Sequence, residues 1–131
     1  MRAISIAKFE KGITNEDAAI ARQDVIAVSD GAGGGGVFAD LWSKYLVEQL
    51  PDEPIVSYEA FDKWIDGIWE SFYNDCEKKA KDIGGMFLNK FYDEGSFATL
   101  VAIWKDGQWV SYGDSVAFCY NPKTKDRKSV V

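Results

Sequence analysis

Between Phe38 and Cys76 the large apolar residues fall three and four positions apart, and only the Pro51–Pro54 segment interrupts the series. Phe38, Leu41, Trp42, Tyr45 and Leu46 make one face of an amphipathic helix; Phe61, Trp64, Ile65, Ile68, Trp69, Phe72 and Cys76 make the face of a second. The prolines end the first helix. Ser57 is placed to cap the second, with Ala60 where a capping box would carry Glu or Gln. So short a connection predicts antiparallel neighbours. Each stripe needs a surface to bury against, and the expectation is a core face that covers a sheet rather than a cofactor site.

The flanking segments supply that sheet. Ile4 and Ile6 alternate with smaller residues, which predicts a strand over residues 3–9. Ala18–Ala21 and Val25–Ser29, separated by Arg22-Gln23-Asp24, read as a hairpin whose second strand is buried. Gly84-Gly85 ends the second helix, and Met86–Gly95 is expected as a loop. Phe97–Trp104, Gln108–Tyr112 and Val116–Tyr120 are rich in β-branched and aromatic residues, with Asp106-Gly107 as a hairpin turn, so a meander is predicted after the helices. Strands, two helices, then strands again fit an α+β layered domain better than alternating βαβ units. With 131 residues, 47% of them hydrophobic, the chain can build one core and is too short for two.

Composition then narrows the chemistry. The chain has no histidine, so a Ser-His-Asp or Cys-His pair and the imidazole ligands of most catalytic zinc sites are excluded. Chemistry has to rest on carboxylates, whose hard oxygens suit Mg²⁺, Mn²⁺ or Ca²⁺. A net charge of −6 argues against a nucleic-acid partner, since phosphate backbones are bound by Lys and Arg clusters. No apolar run nears the roughly 20 residues of a membrane span, and the one after Met1-Arg2 is too short for a signal peptide. The expectation is a cytoplasmic protein with Cys76 and Cys119 reduced and buried.

Two places carry candidate ligands. Glu16 and Asp17 adjoin at the entry to the early hairpin; strand geometry would send neighbouring side chains to opposite faces, so only one would meet a given metal directly. Asp30 ends an apolar strand, where a buried carboxylate needs a cation or hydrogen bonds to offset its desolvation. Gly31 follows it with no side chain to block its carbonyl. Taken singly, each feature has a plainer reading as solvated surface or a turn.

In combination, Asn15-Glu16-Asp17-Ala18, Val28-Ser29-Asp30-Gly31-Ala32-Gly33-Gly34, Gly95-Ser96-Phe97-Ala98-Thr99 and Gly113-Asp114-Ser115 resemble, in order and approximate spacing, the motifs of the type 2C metal-dependent protein serine/threonine phosphatases. The resemblance spans almost the whole chain and corresponds to the N-terminal half of that family's domain, so residues 1–131 are expected as a single partial domain. It implies an antiparallel β-sandwich flanked by an antiparallel helix pair, here incomplete. It also implies that Glu16, Asp30 and the Gly31 carbonyl hold Mg²⁺ or Mn²⁺, that Asp30 bridges to a second cation, that Asp17 holds metal-bound water, and that Asp114 helps bind a third cation. The implied reaction is hydrolysis of phosphoserine or phosphothreonine in a phosphoprotein substrate, with Asp17 and Asp30 as catalytic residues. The chain departs from the family at Gly12, where a phosphate-holding Arg is usual and Lys11 stands beside it, and at Val116, where an Arg often follows Gly-Asp-Ser. An incomplete sandwich is further expected to self-associate through exposed sheet edges.

Two other readings stand beside this one. The same fold without a full ligand set would be a catalytically inactive interaction module. Gly31-Ala32-Gly33-Gly34-Gly35-Gly36 formally satisfies G-x-G-x-x-G and would imply a dinucleotide-binding domain, although Asp30 would repel a pyrophosphate.

Overall fold

The computed structural model describes Arg2, Ile4, Ile6, residues 14–32 and 37–115, Lys123, and the backbone of 117–121 and 126–130. Within these residues the chain is α+β. Four strands, β1 (Ala18–Ala21), β2 (Val25–Ser29), β3 (Leu100–Trp104) and β4 (Trp109–Tyr112), form an antiparallel sheet in the order β1-β2-β3-β4. Three helices, α1 (Ala39–Gln49), α2 (Tyr58–Ile83) and α3 (Gly85–Glu94), lie between β2 and β3 in the chain. The strands β5 (Ala117–Asn121) and β6 (Asp126–Val130) pair with each other as a separate two-stranded sheet.

The early hairpin forms as its sequence predicts, with Ala18 opposite Ser29 and Ala21 opposite Ile26. Its second strand is buried on one face only. Val25, Ala27 and Ser29 are buried while Val28 is 55% exposed, so period-2 alternation governs β2 and not the all-round burial expected of its apolar run. The Asp106-Gly107 turn joins β3 to β4; Gly107 adopts φ 87° there, and the Gln108 N–H donates to the Asp106 carboxylate. That bond, joined by one from the Gln108 side chain, holds the Asp106 pKa below the usual carboxylate value.

The meander is corrected in its third strand. β5 turns away from β4 and takes β6 as its partner, a strand the sequence reading did not predict. The strand expected over residues 3–9 lies largely outside the described residues; Ile4 and Ile6, which are described, are exposed and belong to no strand. The Cys119 side chain and the glycine run 33–36 also lie outside them.

Helix α1 carries the sheet's cover. Ala39, Ser43, Leu46 and Val47 recur on one face and are buried, and Val47 packs with Leu50 over the face formed by Val25, Ala27, Leu100, Ala102 and Trp104. Trp104 fixes the far end by donating its indole N–H to the Pro51 carbonyl, 3.1 Å away. Helix α2 begins at its predicted cap, the Ser57 hydroxyl accepting from the Ala60 N–H at 3.1 Å. It runs antiparallel to α1: Gln49 meets Trp64, Tyr45 meets Ile68, and Trp42 meets Phe72. Its aromatic stripe does not lie wholly on the sheet as expected. Phe61 and Trp64 reach the sheet-side core, Phe72 and Cys76 join a second cluster with Val37, Ala80 and Phe91, and Trp69 is 45% exposed.

The segment expected as a loop, Met86–Gly95, is mostly helix. Gly84, at φ 70°, ends α2 by donating its N–H to the Ala80 carbonyl, and α3 starts at the next residue. Phe87, Leu88 and Phe91 face the second cluster, which gives α3 a surface to bury.

Candidate functional site

The register that pairs Ala18 with Ser29 continues past the strand ends. The Gly31 N–H donates to the Glu16 carbonyl at 3.2 Å, so the segment before β1 stays beside the segment after β2. The Glu16 carbonyl also accepts from the Ser43 hydroxyl, which ties the site to the buried face of α1. Gly31 is buried, and a Cβ there would lie 2.5 Å from the Glu16 carbonyl oxygen and 2.7 Å from that of Ala39. Only glycine lets the three backbones approach this closely.

On the other side, β2 continues into a bridge with the residues before β3. Gly31 faces Ala98, Ala32 donates to the Phe97 carbonyl, and the Thr99 N–H donates to the Asp30 carbonyl at 2.8 Å. The Asp30 N–H donates to the Thr99 hydroxyl at 3.2 Å, and that hydroxyl is hydrogen-bonded to Ser115. Gly113, at φ 89°, passes so close that a Cβ would lie 2.8 Å from the Thr99 methyl. Thr99 is therefore the junction between the segment that ends β2 and the Gly113-Asp114-Ser115 turn.

These contacts bring most of the predicted residues together. Glu16, Asp17, Asp30 and Gly31 line one cleft of about 260 Å³ with Ile6, Thr14 and Asn15. Asp17 and Asp30 also line the adjoining cleft, of about 320 Å³, that reaches Ser115. Glu16 is half-buried; Asp17 and Asp30 are exposed. Asp30 thus avoids the desolvation expected for a buried strand end, because the apolar run stops at Ser29 and the chain emerges there. The expectation that Glu16 and Asp17 would face opposite ways rested on strand alternation, and neither residue lies in a strand. Both precede β1, and the Asp17 N–H is turned onto the Asn15 side chain at 3.1 Å.

Asp114 is exposed in its turn and does not line this cleft. Among the described residues, no group of three or more Asp, Glu or Cys side chains is gathered so as to hold a metal ion. Of the expected ligand set, Glu16, Asp30 and Gly31 line the cleft.

Sequence reasoning did not single out Ser43, or the bridging role of Thr99 and Ser115. Ser43 had a signal, as a lone hydroxyl among the apolar positions of α1; the bridge had none, because it depends on segments 16 and 69 residues apart. Compared with known proteins, the chain matches no family model, no curated protein and no solved structure.

Proposed function

We propose that this chain belongs to a metal-dependent phosphoprotein phosphatase, with the cleft at the end of β1 and β2 as its reaction site. The observation that carries the reading is the convergence of Glu16, Asp17, Asp30 and Gly31 on one cleft. Clustered carboxylates raise the local concentration of cations. Mg²⁺ suits a sparse ligand set, since it keeps several waters and uses one or two carboxylates.

In this reading Glu16 and Asp30 hold Mg²⁺ or Mn²⁺ with the Gly31 carbonyl, and the close packing at Gly31 keeps the two acidic segments in register. When bound, the cation supplies Lewis acidity toward the phosphoryl oxygens and a water more acidic than bulk. Asp17 would accept a hydrogen bond from the attacking water and take its proton as the new P–O bond forms, while the P–O bond to Ser or Thr breaks and the leaving oxygen takes a proton from solvent. Asp114, on the turn that Thr99 and Ser115 anchor, stands at the margin as a ligand for a further cation. Mn²⁺-dependent release of phosphate from a phosphoserine peptide is expected, with a loss of at least about 100-fold in Asp30→Asn, read alongside Mn²⁺ binding by electron paramagnetic resonance. An Asp30→Asn protein that keeps both full Mn²⁺ affinity and full turnover would refute the assignment.

A second reading, an inactive interaction module with the same fold, is favoured by the absence of a three-side-chain metal group among the described residues. No Mn²⁺ binding at millimolar concentration by the unmodified chain would select it. The dinucleotide reading gains no support: every strand pair among the described residues is antiparallel, whereas a βαβ unit needs a parallel pair.

A further inference from the structure

Away from the acidic cleft, α1, α2 and the end of α3 enclose a second cavity of quite different chemistry. Its walls are Trp42, Trp69, Phe72, Tyr73 and Phe91, and its floor reaches Gly95 and Ser96. The volume is about 150 Å³, well below the roughly 300 Å³ or more of a pocket that takes a whole drug-sized molecule. It has room for the end of one long side chain. The Trp69 and Tyr73 rings stand 6.1 Å apart at 69°, making two walls near a right angle, and Phe91 lies 5.2 Å from Tyr73. Trp69 is 45% and Tyr73 37% exposed, so the rings are accessible from solvent.

The electrostatics of this cavity have one sign. Aromatic faces present the negative lobe of their quadrupole, which attracts cations. Of the donors on the non-aromatic members, the Gly95 N–H is taken by the Phe91 carbonyl and the Ser96 hydroxyl by the Val37 carbonyl. Along α2, Asp66 lies three residues before Trp69 and Glu70 three before Tyr73, at helical-neighbour spacing, and Glu77 follows one turn beyond Tyr73. From Tyr58 to Glu77 the helix carries six acidic residues against the single Lys63. Past that stretch Lys78 and Lys79 follow in the helix; Lys81 pairs with Glu77 at 3.2 Å, and on α3 Lys90 pairs with Glu94 at 3.7 Å.

We infer that this aromatic cavity is a docking site for an arginine side chain on a partner protein, the planar guanidinium lying flat on one of the two rings, Trp69 or Tyr73, with its edge toward the other and the acidic rim drawing it in. Arginine suits the geometry better than lysine, because a flat, weakly hydrated cation can lie against a ring and shed water at lower cost. The site is independent of the phosphatase reading and would stand if that reading failed.

The test is a tryptophan-fluorescence titration of the full chain with a blocked short peptide carrying one central Arg, and with the same peptide carrying citrulline or norleucine. The Arg peptide should bind about 2- to 30-fold more tightly than the citrulline peptide, the range expected of a cation–π contact from exposed to desolvated. Trp69→Ala should lose that preference, and Glu70→Lys should weaken the Arg peptide alone, with far-UV circular dichroism checking that each variant is folded. Equal affinity for Arg and citrulline, or preference for norleucine, would overturn the inference in favour of a plain apolar groove. So would the absence of saturable binding at millimolar peptide.

Discussion

The two apolar clusters of this molecule are built from different material and close to different degrees. On the sheet side, Val25, Val47, Leu100, Ala102 and Trp104 are each no more than 2% exposed. On the helix side, Cys76 and Ala80 are as well buried and Phe91 nearly so, but the aromatic residues around them grade outward to Tyr73 and Trp69 at the surface. Geometry accounts for the contrast. A pleated sheet delivers alternate side chains from three strands onto one helix and seals the layer, whereas cylinders packed on one another leave grooves that only large rings can span. The lesson is that the sealed side should carry stability, while the open side has surface left for binding.

The largest expected effect lies on the sealed side. Leu100→Ala should cost about 2–5 kcal/mol in urea denaturation, because β3 is central in its sheet and leaves little room to collapse into the cavity. A cost below about 1 kcal/mol would break the distinction between the two clusters.

Next comes Cys76, at the buried centre of the helical side. Burial pushes its thiol up to about 11 from an ordinary 9.0, with Asp75 and Asp40 adding to the rise and Lys79 opposing it. The folded state therefore keeps this proton after the unfolded chain has released it. Stability from the protonated thiol is complete below pH 9.0 and is lost between there and about 11, by up to about 3 kcal/mol. Subtracting the stability–pH curve of Cys76→Ala isolates this residue from the tyrosines and lysines that titrate nearby; parallel curves would mean that the helical centre is open to water.

The smallest effect is expected at the rim. Trp69→Ala should cost about 1–2 kcal/mol by the same denaturation measurement, since nearly half of the ring is already in water. A loss as large as that at Leu100 would show the rim to be part of a sealed core.

Much of this architecture was legible along the chain, because helix periodicity, the Ser57 cap and the Asp106-Gly107 turn are local physics. The sequence reading failed where partners decide. Met86–Gly95 looked like a loop because Gly84-Gly85 and Gly95 bracket it, yet Phe87, Leu88 and Phe91 already sit at helical spacing and needed only the α1–α2 surface to bury against. β5 reads as a third meander strand, and only its pairing with β6 removes it from the first sheet. Around the candidate site, the acidic residues could be picked out by type and neighbourhood. Their meeting in one cleft depends on the β1–β2 register and on the closeness of Gly31 to the Glu16 and Ala39 carbonyls.

By itself, then, the sequence determined an α+β chain whose lack of histidine leaves carboxylates as its candidate ligands. Periodicity and residue type fix such properties at each position, whatever lies far away in the chain. Tertiary structure alone decided which strands share a sheet, that Asp30 emerges into solvent while Asp114 stays outside the cleft, and that part of an aromatic stripe remains exposed. Those outcomes depend on contacts between distant segments, and no local pattern specifies which distant surface a residue will meet.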